Sequence, residues 1–296
     1  MSRKLITLLC AALIALAACG GGGGEKPAAK SSGSRFGDPF TDAKAYPVFA
    51  SSEIVVGENR FLVGLLDEND APIGSRSIAM HIDFYDRASS ETEPVFGTDM
   101  DFIETIPGER GLYVTTAKFD EAGSWGAAVT VTGDGLDETV NAAFDVAESG
   151  STPEIGAPAP ASDTFTAADV DNLSEISTDP HPDPDFYRES IKQAIARKEP
   201  FVVVFATPKF CTSQVCAPTL NIVKAASKSM TGVTFIHVEV YKNLDDPGHL
   251  VPVKAVREWG LPSEPWVFVV DANGKVAAKY EGTVTAGELE AVLKKL

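Results

Sequence analysis

The chain has 296 residues and a formal net charge of −17, with 25 Lys and Arg against 42 Asp and Glu. The acidic residues are spread along the sequence without a basic patch, which argues against a nucleic-acid partner and against charge-driven binding to anionic lipid. At roughly 150 residues per domain, the length favours two domains.

The N-terminus carries a targeting pattern. Arg3 and Lys4 precede the apolar residues 5–18, which end in Leu16-Ala-Ala-Cys19. This stretch of about 14 residues is shorter than the roughly 17–25 that span a bilayer. The pattern resembles a bacterial lipoprotein signal. That resemblance implies that residues 1–18 are a signal peptide, that Cys19 is lipidated and becomes the first mature residue, and that Cys10 leaves with the peptide. We therefore expect a lipid anchor in the cell membrane and a protein that faces outside the cytoplasm.

Residues 19–44 begin with a glycine run and continue with Lys, Ser and Pro, a composition typical of a flexible tether. Residues 45–147 instead predict short strands separated by Gly, Asp and Asn turns, which favours a β-sandwich. The predicted strands are Arg60–Leu66, Ser77–Tyr85, Gly111–Phe119, Trp125–Thr132 and Thr139–Val146. Residues 119–131 resemble a turn and strand of immunoglobulin-like modules in secreted bacterial proteins. We interpret this domain as a spacer or a binding module.

Residues 148–164 are rich in Pro, Gly, Ser and Ala and predict a flexible linker. Residues 165–296 then alternate between helical and strand patterns, which predicts an α/β domain. The predicted helices are Asp185–Arg197, Ala217–Met230, Val253–Trp259 and Ala286–Leu296, and the predicted strands are Pro200–Ala206, Val233–Val240, Trp266–Asp271 and Lys275–Tyr280.

This order of elements resembles the thioredoxin fold. The buried strand at 201–206 leads to a cysteine segment, and residues 261–275 resemble the segment that places a cis-proline opposite the active cysteines. The resemblance implies that Pro265 is that cis-proline, that Glu264 and Pro218 contact the substrate, and that protein thiols or disulfides are the substrates. It implies no cofactor.

Cys211 and Cys216 are the two thiols left free after the expected signal processing and lipidation of Cys19, and four residues separate them where thioredoxins have two. Five residues of a regular helix rise about 7.5 Å, which exceeds the roughly 7 Å Cα separation that a disulfide tolerates. A bonded pair therefore requires Cys211 in a loop and a helix that begins near Cys216, with Pro218 in its first turn. A thiol at a helix N-terminus has a lowered pKa, but this geometry leaves the roles of the two cysteines unsettled. Cys216-Ala-Pro-Thr219 resembles the thioredoxin active-site run with its second cysteine replaced by Thr, and this resemblance favours Cys216 as the attacking thiolate and Cys211 as the resolving partner.

Other interpretations stay open at this point. The segment Thr207–Thr212 resembles the peroxide-reactive segment of peroxiredoxins, which favours Cys211 as the nucleophile. The pair also resembles that of copper chaperones of cytochrome oxidase assembly, although residues 261–265 lack their distal histidine, and His237 or His249 would have to replace it. No zinc spacing is present, and we predict no metal site. A purely structural disulfide in a binding module is the remaining alternative, since it would add roughly 2–3 kcal/mol to stability. The function favoured by the sequence is thiol–disulfide exchange with an unidentified redox partner.

Overall fold

The structure is a computed structural model that describes residues 34–37, 43–106 and 108–296. Residues 34–296 form one compact unit. The predicted signal peptide, Cys10 and Cys19 lie outside the described residues. Among the residues described, no helix combines the length and the apolar character that crossing a bilayer requires.

The N-terminal region is an all-β sandwich of seven antiparallel strands. The strands are β1 Ala45–Phe49, β2 Gly57–Asp67, β3 Ala79–Asp86, β4 Phe96–Ile106, β5 Arg110–Phe119, β6 Gly123–Gly133 and β7 Leu136–Val146. Their order is β1-β2-β5-β4-β3-β6-β7. This order corresponds to the two sheets of the constant-type immunoglobulin fold, in which four strands pack on three. The expected immunoglobulin-like sandwich is confirmed.

Strand β4 joins the two layers and was not predicted. Its first half pairs with β3, from Phe96 to Met100, and its second half pairs with β5, beginning at Asp101. Few of its side chains are buried because each half lies at the edge of a layer. The sequence of β4 therefore lacks the regular alternation of apolar and polar residues that indicates a strand. The five strands that were predicted carry the inward-facing side chains of the core, such as Phe61, Ile82 and Phe119.

The C-terminal domain has the expected α/β architecture. Its elements are α1 Ile191–Arg197, β8 Phe201–Ala206, α2 Cys216–Ser227, β9 Thr234–Glu239, β10 Tyr241–Lys242, β11 Val251–Pro252, α3 Lys254–Glu258, β12 Trp266–Val270, β13 Val276–Glu281 and α4 Ala286–Leu293, with 3-10 helices at Leu173–Glu175, Pro184–Tyr187 and Pro247–His249. The main sheet has the order β13-β12-β8-β9, in which β9 is parallel to β8 and the other pairs are antiparallel.

Strand β8 delivers the chain to the cysteine segment from the centre of this sheet. All six of its residues are buried, because strands flank it on both sides and apolar clusters cover both faces of the sheet. A strand buried on both faces has a continuous apolar sequence rather than an alternating one, which is why its prediction is accurate.

One predicted helix is wrong in extent. The sequence predicts a helix over Asp185–Arg197, but the structure divides it into the 3-10 helix Pro184–Tyr187 and helix α1. Ser190 has an extended backbone between them and caps α1, accepting a hydrogen bond from the backbone of Gln193. The Gln193 side chain accepts a hydrogen bond from the Ser190 backbone in return. This reciprocal capping box favours a new helix start over a continuous helix.

The segment that the sequence predicts as a flexible linker is held by both domains. Thr152 donates its backbone N–H and its hydroxyl to Glu53 of the sandwich, over 2.8 and 2.6 Å. Further on, the backbone of residues 156–159 exchanges hydrogen bonds with Gly274 and Val276 of the β12–β13 hairpin. These contacts fix the path of the chain between the two domains.

Candidate functional site

Cys211 and Cys216 form a disulfide at the end of strand β8, with a Cα–Cα distance of 6.0 Å. Cys211 lies in the loop before α2, and Cys216 is the first residue of that helix. Pro218 lies in the first turn, where its missing N–H leaves no carbonyl unpaired. The geometry inferred from the spacing of the two cysteines is confirmed.

The N-terminus of α2 is directed at the sulfur of Cys211. The N-cap residue, Val215, provides no side-chain hydrogen bond to the helix. Instead, the backbone N–H of Cys216 donates to Sγ of Cys211 over 3.3 Å, and the Ser213 hydroxyl lies 3.2 Å from the same sulfur. Free amide groups and the dipole at a helix N-terminus stabilise an anion, so this position favours the thiolate of Cys211.

The two cysteines differ in exposure. Cys216 is completely buried in the apolar cluster beneath the sheet, beside residues such as Val204 and Leu220. Cys211 is only partly buried, and the following residues Thr212, Ser213 and Gln214 are exposed. The assignment of Cys216 as the attacking thiolate stays a prediction, and this difference in burial argues against it. The helix N-terminus acts on Cys211, and only the sulfur of Cys211 lies where another protein can reach it.

The peptide bond between Glu264 and Pro265 is cis, as the resemblance implies. The Ser213 hydroxyl donates to the Glu264 carbonyl over 3.5 Å, which brings this loop against the cysteine loop. Gly282 ties the cis-proline to helix α2, because its N–H donates to the Pro265 carbonyl and its own carbonyl accepts from the Thr219 hydroxyl. Burial, and then the nearby charge of Glu239, raise the pKa of Glu264 above its ordinary value.

A buried polar network supports the base of the cysteine loop, and the sequence gives no signal for it. Nε2 of His237 lies 3.0 Å from the carbonyl of Ala206, the last residue of β8. A carbonyl only accepts, so Nε2 carries the proton and Nδ1 accepts from the Tyr187 hydroxyl, 2.6 Å away. Burial lowers the pKa of His237 from 6.5 to about 4, so the ring is neutral at pH 7. The prediction of a core histidine is consistent with this position.

A second part of the network holds the loop itself. Glu239, at the end of β9, accepts hydrogen bonds from the backbone and the hydroxyl of Thr178, over 2.8 and 2.6 Å. The Thr178 hydroxyl in turn accepts from the backbone N–H of Lys209 in the cysteine loop. Burial raises the pKa of Glu239 despite these hydrogen bonds. The loop is thus connected to the buried end of β9 by side chains far from it in sequence.

The remaining candidates do not gather at the disulfide. His249 is exposed and pairs with Asp246, three residues away, while the ammonium of Lys209 lies over the Phe210 ring at 5.2 Å. Within the described ranges, no cluster of three or more His, Cys, Asp or Glu side chains is arranged to hold a metal ion.

The sandwich reaches the cysteine loop through Arg110, a residue that no sequence pattern singles out. Nη2 of Arg110 donates to Oε1 of Gln214 over 2.6 Å, and Gln214 has a left-handed backbone with φ of 62°. Arg110 lies at the start of β5, more than 100 residues before the loop in sequence. No local pattern could have indicated this contact, because it exists only when the two domains are packed together.

Comparison with known proteins finds similarity for the C-terminal domain. Residues 187–296 match the family model for thioredoxin-like domains. Among solved structures, a thiol:disulfide interchange protein of the thioredoxin family from Chlorobium tepidum TLS aligns with 19% identity and a TM-score of 0.27, over 37% of this chain and 86% of that chain. The Lin-41 filamin domain aligns with 14% identity and a TM-score of 0.20, over 38% of this chain and 100% of that chain. No curated protein matches.

Proposed function

We propose that this chain, whose C-terminal domain is thioredoxin-like, is a thiol–disulfide oxidoreductase that uses Cys211 and Cys216. The observation that carries the proposal is the asymmetry of the pair. One sulfur is accessible and lies at a helix N-terminus, and the other is buried directly behind it. A structural bridge requires neither the exposure of one sulfur nor a helix N-terminus directed at it, whereas an exchange catalyst requires both.

In the proposed reaction, the Cys211 thiolate attacks one sulfur of a partner disulfide. The partner's S–S bond breaks, a mixed disulfide forms, and the first partner thiolate leaves and takes up a proton. Cys216, once deprotonated, then attacks Sγ of Cys211 and releases the second partner thiolate. The partner disulfide is reduced by two electrons, and the Cys211–Cys216 pair is oxidised. The same steps in reverse oxidise a partner dithiol, and turnover in either direction needs a second dithiol or disulfide partner.

The proposed location is the cell membrane, with the domains outside the cytoplasm. The lipoprotein-like signal at residues 1–18 and the candidate lipidation site Cys19 support it. The presence of a disulfide also supports it, because disulfides persist outside the cytoplasm. Labelling with a radioactive fatty acid tests the anchor, since Cys19→Ala should abolish incorporation while Cys211→Ser should not.

The redox potential of the pair tests the function most directly. The protein is equilibrated against glutathione and thioredoxin buffers, and the oxidised fraction is read by thiol alkylation and mass. We expect a potential between about −120 and −270 mV, the range of exchange catalysts. A value below about −300 mV would identify a structural bridge and reject the proposal.

The roles of the two cysteines are tested with a pair of matched variants. Cys216→Ser leaves Cys211 without its resolving partner. Its Cys211 thiolate should therefore attack the disulfides of denatured substrate proteins and accumulate as a mixed disulfide with them. Cys211→Ser retains only the buried sulfur and should trap at least about tenfold less. Thr212→Ser, in the same loop, serves as the control and should behave as the wild type. Stronger trapping by Cys211→Ser would instead make Cys216 the nucleophile.

A further inference from the structure

A cleft lies between the sandwich and the thioredoxin-like domain, beside the disulfide. Its volume is about 310 Å³, within the range of 300–1,000 Å³ that is common for ligand pockets. On the redox side it is lined by residues of the cysteine loop and the cis-proline loop, among them Ser213, Val215 and Glu264. On the sandwich side it is lined mainly by aliphatic side chains, among them Leu62, Leu66 and Leu112.

The aliphatic wall belongs to the outer face of the sandwich. Phe61, Leu65 and Tyr113 point into the sandwich core. Because side chains alternate along a strand, the neighbouring residues Leu62, Leu66 and Leu112 project from the opposite face of β2 and β5. Leu62 is buried, whereas Leu66 and Leu112 are only partly buried and form the open part of the wall. An outer face of a sandwich is ordinarily polar, so these partly exposed leucines indicate an apolar surface that a ligand can cover.

The wall is held at a fixed position relative to the disulfide. Arg60 of β2 pairs with Glu288 of α4 over 2.6 Å. The Ser52 backbone donates to Glu281 over 2.8 Å, and Glu281 also accepts from Ser263 in the cis-proline loop. These contacts lie along the cleft and continue the interface between the domains. The cleft is therefore a built feature of the packed molecule, and the loop that carries Cys211 forms part of its lining.

The charges of the cleft restrict its occupant further. Glu264 and Glu281 line it together with Arg110, whose guanidinium donates one hydrogen bond to the neutral Gln214 and keeps its positive charge. The acidic residues of the lining outnumber the single guanidinium, so the cleft disfavours acidic side chains, particularly in a chain whose net charge is −17. The aliphatic wall and the carboxylates together favour a ligand with large apolar side chains and without Asp or Glu.

From this arrangement we infer that the cleft is the specificity site of the redox reaction. It binds an extended polypeptide segment in which large aliphatic residues, and no acidic ones, flank the reacting cysteine. The sandwich supplies the wall that selects these residues, so it contributes directly to substrate choice. This inference rests on the proposed function and adds the substrate class to it.

The test uses three peptides of the form Gly-X-Cys-X-Gly, with X as Leu, Gln or Asp, each carrying its cysteine in a mixed disulfide with thionitrobenzoate. Reduced full-length protein in detergent attacks the peptide sulfur, and release of the coloured thiolate gives a second-order rate constant. We expect the Leu peptide to react at least about tenfold faster than the Gln peptide, since a lost apolar contact costs this much in a hydrophobic pocket. The Asp peptide should be slower than the Gln peptide.

Two cleft variants and a matched control locate the preference. Leu66→Gln and Leu112→Gln should each reduce the Leu-to-Gln rate ratio to about threefold or less. Val95→Gln removes an apolar side chain that is 54% exposed and lies outside the cleft lining, and it should keep the ratio of the wild type. Amide hydrogen exchange of each variant confirms that it is folded.

Each outcome separates the inference from the function on which it rests. Equal rates for the Leu and Gln peptides in the wild type would overturn the inference even if no variant folded. An unchanged ratio in both folded cleft variants would show that the preference arises elsewhere, which also overturns it. In either case, a redox potential in the catalytic range would leave the proposed function standing. A potential below about −300 mV would remove both.

Discussion

Because His237 is buried and neutral, we predict that the C-terminal domain loses stability in acid. In the unfolded chain, the histidine binds a proton at pH values below its ordinary pKa of about 6.5. In the folded protein, burial lowers that pKa to about 4. Between these two values the unfolded state binds more protons than the native state, so stability falls as the pH falls. The contribution is fully present above pH 6.5 and is lost progressively towards pH 4.

The magnitude follows from the two pKa values. From pH 7.5 to pH 4.5, the linkage relation gives a loss of about 2.5 kcal/mol in the free energy of unfolding. This is a large part of the 5–15 kcal/mol typical of a folded protein. His237→Gln preserves a donor for the Ala206 carbonyl and an acceptor for Tyr187, but it does not titrate. The variant should therefore lack this loss of stability in acid.

Native-state hydrogen exchange is the suitable assay, because a two-domain protein need not unfold in one step. The slowest amides of β8 report the opening of the redox domain at pH 7.5 and pH 4.5, after correction for the intrinsic exchange rate. The other ionisable groups near the ring, Asp179, Lys224 and Glu239, are present in both proteins, so their contributions cancel in the comparison. Equal losses in the wild type and in His237→Gln would refute the reasoning.

Two further predictions concern the contacts of the sandwich. Burial opposes the ionisation of Glu53, but hydrogen bonds from Thr152 and the charge of Lys279 outweigh it and lower the pKa of this carboxyl. Glu53→Ala leaves Lys279 without its carboxylate partner and should cost about 2–4 kcal/mol of stability in urea unfolding, whereas a loss below about 0.5 kcal/mol would contradict this. At Gly126, an added Cβ would lie 2.6 Å from the ring of Phe36, which is buried against the sandwich. Gly126→Ala should therefore release residues 34–37 and accelerate tryptic cleavage after Arg35 about tenfold, while Gly287→Ala, which meets no atom within 4 Å, should not.

Features that depend on neighbouring residues in sequence were predictable. The continuous apolar run of β8, the start of α2 at Cys216 and the position of the cis-proline all follow from short segments of the chain. The helix start is determined by the cysteine spacing, since a disulfide across a regular helix would not close. The same local logic correctly anticipated the two domain classes, because alternating strands and interleaved helices leave different patterns.

Features that depend on packing were not predictable. The argument for Cys211 over Cys216 rests on burial, and the sequence contains no information on which sulfur the sheet covers. The cysteine spacing correctly predicts where the helix begins, but it does not show which sulfur the helix N-terminus contacts. In the structure, the amide of the first helical residue points back to the sulfur in the preceding loop. The sequence does not predict strand β4 or the contact of Arg110 with Gln214 for the same reason, since each is defined by partners distant in sequence.

The contacts between the domains bear on the role of the sandwich. A spacer needs only to separate the redox domain from the anchor, and a flexible connection would serve that purpose. Here, Glu53 and Arg60 instead form largely buried ion pairs with the redox domain, and Arg110 holds the cysteine loop. Buried ion pairs are costly to desolvate and contribute little net stability, so they are better explained by the fixed geometry that they impose. A fixed wall of leucines beside an accessible sulfur would serve the proposed catalyst in choosing its substrate, and on this ground we include the sandwich in the proposed site.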